Sequence, residues 1–164
     1  MLVGSGSSGS MARQGWSVAL SDDGDTAILG GFYDGGGVGA AWVFTRSGGV
    51  WTQQGAKLVG TGAGTPAAQG SAVALSGDGN TVIVGGPAQD VWLDATGAAW
   101  VFVRTGGVWT QQGERLVGSG TAGLSRQGTA VALSRDGSTA IVGGPADGDG
   151  VGASIGLAHY LRFL

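Results

Sequence analysis

The chain has 164 residues, of which 37 are glycine, 12% are charged and none is cysteine, and its formal net charge is −3. These values exclude disulfides, thiolate metal sites and the clustered basic residues that bind nucleic acid, and the glycines lack the three-residue period of collagen. No apolar run approaches the roughly 20 residues that span a bilayer, and 1–13 contain no apolar core of a signal peptide.

A unit of roughly 55–58 residues repeats along the chain, and the dipeptide Gln-Gly opens each copy, at Gln14, Gln69 and Gln127. The segment Leu-Val-Gly-Ser-Gly at 2–6 recurs at 116–120, so the chain is predicted to begin inside a copy. We therefore distinguish five parts: the tail of a preceding copy (1–13), copy 1 (14–68), copy 2 (69–126), an incomplete copy 3 (127–157) and a divergent C-terminal tail (158–164).

Each copy contains short apolar runs that are typical of β-strands. The first alternates large and small side chains, such as Val18 and Ala19, and the second is apolar on both faces. The third carries Trp42 and Phe44 in copy 1, two residues apart, so both rings are predicted to leave the same face. The fourth has a polar Thr-Gln-Gln centre, typical of an edge strand facing water. The runs are 16–20, 26–29, 40–45 and 50–59 in copy 1, 71–75, 81–84, 98–103 and 108–117 in copy 2, and 129–133 and 139–142 in copy 3.

Turn signals join these runs. Asp-Gly stands between the first and second runs of every copy, and Gly-Gly stands between the third and fourth runs of copies 1 and 2. Both dipeptides supply the positive φ that a tight hairpin needs. Each complete copy is therefore predicted to be a four-stranded antiparallel meander, the size of one β-propeller blade. The fold class is predicted as all-β, a β-propeller-like fragment of roughly two and a half to three four-stranded antiparallel blades.

Copy 3 departs from the pattern after 151–153. Ser154 to Leu157 replaces Ala-Trp-Val-Phe, so Ile155 and Leu157 are expected to form a poorer third strand, the fourth strand is absent, and a short helix is considered near 158–164. A propeller ring closes with roughly four to eight blades, so this chain is expected to leave two open faces. We expect the chain to self-associate or to be marginally stable. One option is that the strand around Leu2-Val3 completes the last sheet of another chain.

The order of the motifs resembles a known family. Gln-Gly, Val-Ala-Leu-Ser, Asp-Gly, Gly-Gly-Pro, Gly-Ala-Ala-Trp-Val-Phe and Trp-Thr-Gln-Gln, over 14–153, resemble the bacterial branch of the FG-GAP repeats, which are related to the propeller of integrin α subunits. Gly85-Gly86-Pro87 stands where that family has Gly-Ala-Pro, whereas Gly30-Gly31-Phe32 departs from it. The resemblance implies a β-propeller in an extracellular or cell-envelope protein.

The resemblance also implies a calcium loop between the first and second strands. Asp22, Asp23 and Asp25 supply three carboxylates in that loop of copy 1, and calcium takes six to eight oxygen ligands. The corresponding loops of copies 2 and 3 hold fewer carboxylates. All three loops are short enough to be plain hairpin turns, which is the alternative interpretation. The loops holding Asp90 with Asp94, and Asp147 with Asp149, are further places where oxygens could gather.

The tryptophans divide into packing and binding candidates. Trp42 and Trp100 lie on strands that are apolar on both faces, which favours packing between sheets, and Trp51 and Trp109 are also expected to pack. Trp92 lies in a loop between Asp90 and Asp94 and has no counterpart in copy 1. An aromatic loop residue beside polar groups is a candidate contact for a sugar or a peptide, with loop packing as the alternative.

No constellation of residues indicates catalysis. His159 is the one histidine of the chain, so neither a His/Cys metal set nor a nucleophile–base pair can be assembled. The carboxylate pair of a glycoside hydrolase stays open, because two carboxyl groups need only meet in space.

We therefore expect a non-catalytic β-propeller repeat segment that acts as a scaffold or as an adhesion and protein-binding module. The alternative is a carbohydrate-binding propeller of lectin type, and a hydrolase built on a propeller is the third hypothesis. The expected partner is a protein or a glycan. Nucleic acid, a membrane span and a resident cofactor other than calcium are not expected.

Overall fold

The computed structural model of the chain describes residues 1–62, 64, 66–88, 96–119, 124–146 and, for the backbone, 154–159. The described elements are antiparallel strands and one short helical turn. They are β1 (Ser17–Leu20), β2 (Thr26–Gly31), α1 (Asp34–Gly37), β3 (Ala40–Ser47), β4 (Val50–Gln53), β5 (Ala72–Leu75), β6 (Thr81–Gly86), β7 (Ala98–Thr105), β8 (Val108–Gln111), β9 (Ala130–Leu133), β10 (Thr139–Gly144) and β11 (Ser154–His159).

The strands of the described residues form three antiparallel sheets in chain order. Sheet 1 is β1-β2-β3-β4 and sheet 2 is β5-β6-β7-β8, each with neighbouring strands paired. Sheet 3 contains β9, β10 and β11, with β10 in the middle. The fold is all-β, and the predicted four-stranded antiparallel unit is confirmed for copies 1 and 2. In the described part of copy 3, the expected third strand forms, as β11.

The predicted hairpin turns are also confirmed. Gly24, Gly79 and Gly137, which follow the aspartates between the first two strands of each sheet, have φ of 70°, 67° and 71°. A residue with a Cβ is strained at such φ values, whereas glycine adopts them freely. The turn chemistry of the sequence therefore accounts for the start of every sheet.

The fourth run was predicted as one strand over 50–59, and this is wrong in its length. β4 ends at Gln53, and Leu58 instead forms an isolated antiparallel bridge with Ala41. The polar Thr-Gln-Gln centre, predicted to face water, also makes hydrogen bonds to the next sheet. The Gln54 side-chain oxygen accepts hydrogen bonds from Arg104, at 2.9 Å, and from the indole N–H of Trp109, at 3.1 Å. The second glutamine is half-buried because it links sheet 1 to sheet 2.

Sheets 1 and 2 pack through two unlike faces. The face of sheet 2 that carries its larger side chains is called the Val-Leu face; it contains Val73, Leu75, Val82, Val84, Trp100 and Phe102. The face of sheet 1 against it is called the Ala-Ile face; it contains Ala19, Ile28, Ala41 and Val43. These side chains form one apolar cluster with Leu58. The period-two alternation read from the sequence therefore separates two faces that fit each other.

Sheets 2 and 3 repeat the same contact. The Ala-Ile face of sheet 2 and the Val-Leu face of sheet 3 form a second apolar cluster, in which Leu116 takes the place of Leu58. Its members are Ala74, Ile83, Ala99 and Val101 from sheet 2, and Val131, Leu133, Ala140 and Val142 from sheet 3. A second, independent copy of the interface shows that the packing is a property of the repeat.

The tryptophans of the third strands are buried, as predicted. Trp42 and Trp100 are 0% and 1% exposed. Each indole N–H donates to a backbone carbonyl of the segment that precedes its own copy: Trp42 to Ser5 and Trp100 to Thr61, both at 2.8 Å. A buried Trp N–H needs such an acceptor. Segment 1–13 therefore makes the same contact with sheet 1 that the linker following sheet 1 makes with sheet 2.

The Gln-Gly motif has a structural role in this linker contact. The amide of Gln69, which is 0% exposed, accepts from the N–H of Gly60 at 2.6 Å and donates to the carbonyl of the same residue at 2.9 Å. Gln14 makes the same pair of bonds with Gly4, at 2.6 and 2.8 Å. One side chain thus satisfies both polar groups of a backbone unit at the sheet interface.

The tryptophans of the outer strands pack beneath arginines. The guanidinium groups of Arg46 and Arg104 lie 5.5 and 5.3 Å from the ring centres of Trp51 and Trp109. Both indoles are half-buried, and Trp51 also contacts the cluster around Trp42. The expected packing role is confirmed.

Strand β11 pairs one residue away from its predicted position. The sequence match places Ile155 at the position of Trp42, which pairs with Leu29 in sheet 1. Val142 is the counterpart of Leu29 in sheet 3, and it pairs with Gly156 instead of Ile155. Register is weakly constrained in a strand that contains glycine and lacks the large rings of the other copies. Ala158 and His159 also belong to β11, so the helix considered near 158–164 is wrong for these two residues. Within the described residues, no helix is long and apolar enough to cross a membrane.

The close contact between Gly60 and Trp100 gives a direct test of the linker packing. A Cβ at Gly60 would lie 2.1 Å from Trp100 Cδ1, whereas one at Gly64, in the same linker, would meet no described atom within 4 Å. We expect Gly60→Ala to lower the free energy of unfolding by about 1–3 kcal/mol or more, because the buried indole must move. Gly64→Ala should change it by less than about 0.5 kcal/mol. Urea unfolding of both variants measures the difference, and equal stabilities would contradict the packing.

Candidate functional site

The first turns of the three sheets meet at one end of the molecule. The first strands of consecutive sheets lie side by side, and backbone hydrogen bonds join their turns: Asp22 N–H donates to Gly77 O at 3.0 Å, and Gly77 N–H donates to Arg135 O at 2.8 Å. Together the turns line an open cleft of about 750 Å³. Its lining residues are Asp22, Asp23, Gly77, Asp78, Ser134, Arg135 and Asp136.

Within each turn a serine and an aspartate build the same hydrogen-bonded arrangement. In copy 1 the Ser21 hydroxyl donates to Asp23 Oδ1 at 2.5 Å, and the N–H of Asp25 donates to the same oxygen at 2.8 Å. The Ser21 hydroxyl also accepts from the N–H of Thr26, at 2.9 Å. Copies 2 and 3 repeat these three contacts with Ser76 and Asp78, and with Ser134 and Asp136. The Ser-x-Asp-Gly pattern therefore closes the hairpin in every copy.

The structure directs the three predicted calcium ligands to three different partners. Asp22 pairs with Arg135 of copy 3, Asp23 accepts the turn hydrogen bonds, and Asp25 accepts from Arg46 Nε at 2.8 Å. Among the residues that the structure describes, no group of three or more His, Cys, Asp or Glu residues is placed to hold a metal ion. Calcium at this loop stays a prediction, and binding would have to displace the two arginines.

Hydrogen bonding stabilises the charged form of Asp23. The Ser21 hydroxyl, and after it the N–H of Asp25, lower the pKa of the Asp23 carboxyl below its ordinary value. Since the pKa in the folded state is the lower one, this carboxylate adds stability above its unfolded-state pKa of about 3.9 and loses that contribution as the pH falls through the folded-state value.

The pKa of Asp23 can be tested with a single hydroxyl. We expect Ser21→Ala to raise the pKa of Asp23 toward its ordinary value, because the strongest donor to its charged form is removed. Carbon-detected NMR titration of the carboxyl groups measures this change, with Ser134→Ala in copy 3 as the matched control that leaves Asp23 unchanged. An Asp23 pKa that is the same in wild type and Ser21→Ala would contradict the assigned cause.

An aromatic surface, largely exposed, is formed by three residues of copy 1 and by the arginine just before it, and it was not predicted from the sequence. The ring of Phe32 contacts Trp16 edge-on, with ring centres 4.7 Å apart, and Tyr33 with centres 6.2 Å apart. The Arg13 guanidinium lies 5.4 Å from the centre of the Phe32 ring and 6.0 Å from that of Tyr33. Phe32 is buried, whereas Trp16 is 60% and Tyr33 39% exposed. We call these four residues the aromatic surface.

A comparison between copies was the signal that could have revealed this surface. Trp16 stands where copies 2 and 3 have Ser71 and Thr129, and Tyr33 stands where they have alanine. Phe32 likewise replaces the proline of the Gly-Gly-Pro motif. Copy 1 therefore carries three bulky substitutions, two of them exposed, in a framework that is otherwise repeated.

A buried ion pair lies directly after Tyr33. Asp34, 2% exposed, pairs with Lys57 and accepts a hydrogen bond from the N–H of Ser8 at 2.7 Å. Lys57 also donates to the Ser8 hydroxyl, at 3.0 Å. The N–H of Gly35 in turn donates to the Ser8 carbonyl, at 2.9 Å. This network ties the N-terminal segment to α1, which begins immediately after Tyr33.

Removal of one partner tests the importance of this ion pair. We expect Lys57→Met to lower the free energy of unfolding by about 3–5 kcal/mol, because it leaves the Asp34 carboxylate buried without its cation. Arg135→Met is the matched control, because the ion pair of Arg135 with Asp22 is exposed: the two side chains are 85% and 48% exposed. This variant should lower the free energy of unfolding by less than about 1 kcal/mol. Denaturant unfolding of both variants checks this order, and a Lys57→Met variant as stable as wild type would contradict it.

The predicted ligand-binding residues Trp92, Asp90 and Asp94 lie outside the described residues, as do Asp147 and Asp149. Their role in binding stays a prediction.

No protein-family model matches the chain, and no curated protein matches it. Among solved structures, hydrazine synthase from Kuenenia stuttgartiensis matches with a TM-score of 0.44 and 15% identity, over 87% of this chain and 32% of that chain. The chain thus spans about a third of the protein it matches. A likeness of this size carries no information about the activity of this chain.

Proposed function

We propose that the three sheets are consecutive blades of a β-propeller segment that acts as a non-catalytic scaffold and protein-binding module. Two consecutive interfaces with the same unlike faces support this arrangement, because a propeller is built by repeating one sheet-to-sheet contact. Membership of the FG-GAP repeats and an extracellular or cell-envelope location rest on the motif resemblance and are part of the proposal.

The aromatic surface is the observation that carries the binding role. The repeated polar residues are occupied in the fold, since the Gln-Gly amides hold the linkers and the turn aspartates close the hairpins. Arg13, Trp16 and Tyr33 are exposed, and the two aromatic residues occur in copy 1 alone. Tryptophan, tyrosine and arginine are the residue types that contribute most to protein–protein binding energy. We therefore assign the partner contact to this surface, with a protein as the partner.

A glycan is the second candidate partner. Exposed tryptophan and tyrosine rings present flat apolar faces to which a sugar ring can bind, and the Arg13 guanidinium beside them supplies hydrogen-bond donors. The lectin hypothesis of the sequence depended on Trp92, and the aromatic surface gives it a second, independent location. The hydrolase hypothesis has no such support in the described residues, where the turn serines donate to turn aspartates.

The repeat itself supplies the variant that tests this proposal. The triple variant Arg13→Ala, Trp16→Ser, Tyr33→Ala gives copy 1 the residues that copy 2 has, so it should fold. Arg126 stands just before copy 3 as Arg13 stands just before copy 1, so Arg126→Ala makes the same arginine change there and is the matched control. We expect the triple variant to bind its protein partner about 10- to 100-fold more weakly, and the control to bind like wild type.

Two measurements distinguish the candidate partners. Quantitative capture from bacterial envelope and culture-supernatant extracts identifies a protein that wild type and Arg126→Ala retain and the triple variant loses. A glycan array with the same three proteins supports the lectin alternative if selective binding disappears in the triple variant. Binding that is equal in all three proteins would contradict the aromatic surface as the contact, and turnover of a glycan or an ester by wild type would support the hydrolase instead.

A further inference from the structure

The Val-Leu face of sheet 1 is covered only in part. The segment 1–13 packs on Trp42 and Phe44 through Leu2 and Ala12. Val18 and Leu20, on the first strand, remain 66% and 61% exposed. Their counterparts in sheets 2 and 3, which are Val73, Leu75, Val131 and Leu133, pack on the preceding sheet. In both described interfaces, the Val-Leu face of one sheet is therefore covered by the Ala-Ile face of the preceding sheet.

An Ala-Ile face is also open, at the other end of the chain. Ile141 of sheet 3 is 42% exposed, whereas its counterparts Ile28 and Ile83 are both 0% exposed. Ala130 and Ala132, on the same face, are exposed as well. Sheets 1 and 3, the outer two of the described sheets, thus present the two halves of the contact that the chain uses internally.

The glycines at these ends show the same complementarity. A Cβ at Gly30 would lie 2.2 Å from the carbonyl oxygen of Gly70 in the next sheet, so the two backbones touch. At Gly143, the counterpart of Gly30 in sheet 3, the nearest described atom is 3.5 Å from such a Cβ. Gly15 is the counterpart of Gly70 in sheet 1, and a Cβ placed at Gly15 would have no described atom within 4 Å. Room for backbone contact is therefore kept at both ends.

We propose that a second copy of this chain covers these faces, head to tail. Val18 and Leu20 of each copy pack on Ile141 and its neighbouring alanines in the other. Each chain contributes the three sheets that the structure describes, so a pair brings together six of them, within the roughly four to eight that close a propeller. The closed ring rests on the proposed propeller arrangement, whereas the head-to-tail contact rests only on the two faces.

The N-terminal segment does not compete with the second copy. Its Gly4 and Ser5 lie on Trp42 as Gly60 and Thr61 lie on Trp100, in an interface that is already closed. In that interface Leu58 exchanges two backbone hydrogen bonds with Ala41 of the preceding sheet, at 3.0 and 2.7 Å. Leu2 is the counterpart of Leu58, so it is placed to pair with β11 of the second copy.

The mass in solution tests the association. We expect wild type to sediment at about twice the chain mass of 16.0 kDa at micromolar concentration. Val18→Glu and Ile141→Glu should each raise the dissociation constant about 100-fold, because each buries a carboxylate against an apolar face. Val108→Glu is the matched control: Val108 is 63% exposed, like Val18, but lies on the outer strand β8, and this variant should stay dimeric. Circular dichroism confirms that each variant folds.

Mixing the two variants tests the head-to-tail geometry. Val18→Glu retains an intact Ala-Ile face and Ile141→Glu retains an intact Val-Leu face, so an equimolar mixture should form a heterodimer through one good contact. A monomeric wild type would overturn the proposal and leave these faces to sheets of a different chain. If Val18→Glu dissociates the pair and Ile141→Glu does not, the contact joins two Val-Leu faces. That result would also overturn the head-to-tail proposal. A ladder of larger oligomers would overturn the closed pair. Ligand binding by a monomer would leave the proposed function standing.

Discussion

The fit between a face of large side chains and a face of small ones is the constraint on which this structure depends. Val73, Leu75 and Trp100 of sheet 2 fill the space over Ala19 and Ile28 of sheet 1, and the same relation recurs between sheets 2 and 3. Two faces of equally large side chains would hold the sheets too far apart for the backbones to touch at Gly30 and Gly70. The alternation within each strand is therefore what allows a stack of sheets.

Close packing of the sheets removes backbone N–H and carbonyl groups of the linkers from water. The repeat satisfies these groups with the same set of residues at each interface. The glutamine amide holds the N–H and carbonyl of the linker glycine, the absent Cβ of that glycine admits the tryptophan ring, and the indole N–H bonds the next carbonyl. These residues look like candidate functional residues because they recur. Their recurrence follows from backbone satisfaction at each interface.

The proposed binding surface lies where the copies differ. The turn aspartates contribute to hairpins and to contacts between turns, whereas Trp16 and Tyr33 interrupt the pattern in copy 1 and stay exposed near Arg13. The buried Asp34–Lys57 pair beside them ties the N-terminal segment to α1, so the aromatic surface lies on an ordered support. A framework that repeats and a surface that does not are together what a binding module on a rigid scaffold requires.

The sequence by itself determined the strands, the hairpins and the burial of Trp42 and Trp100, because these depend on period-two alternation and on turn residues a few positions apart. Only the tertiary structure decided that Gln54 reaches the next sheet, that β11 pairs one residue away from the sequence match, and that Asp22, Asp23 and Asp25 have separate partners. It also assembled the aromatic surface from two chain segments, one with Arg13 and Trp16 and one with Phe32 and Tyr33. Apart from the turn hydrogen bonds of Asp23, most of these contacts join residues that are well separated in the chain, and their meeting depends on how strands and sheets pack, which no local pattern encodes.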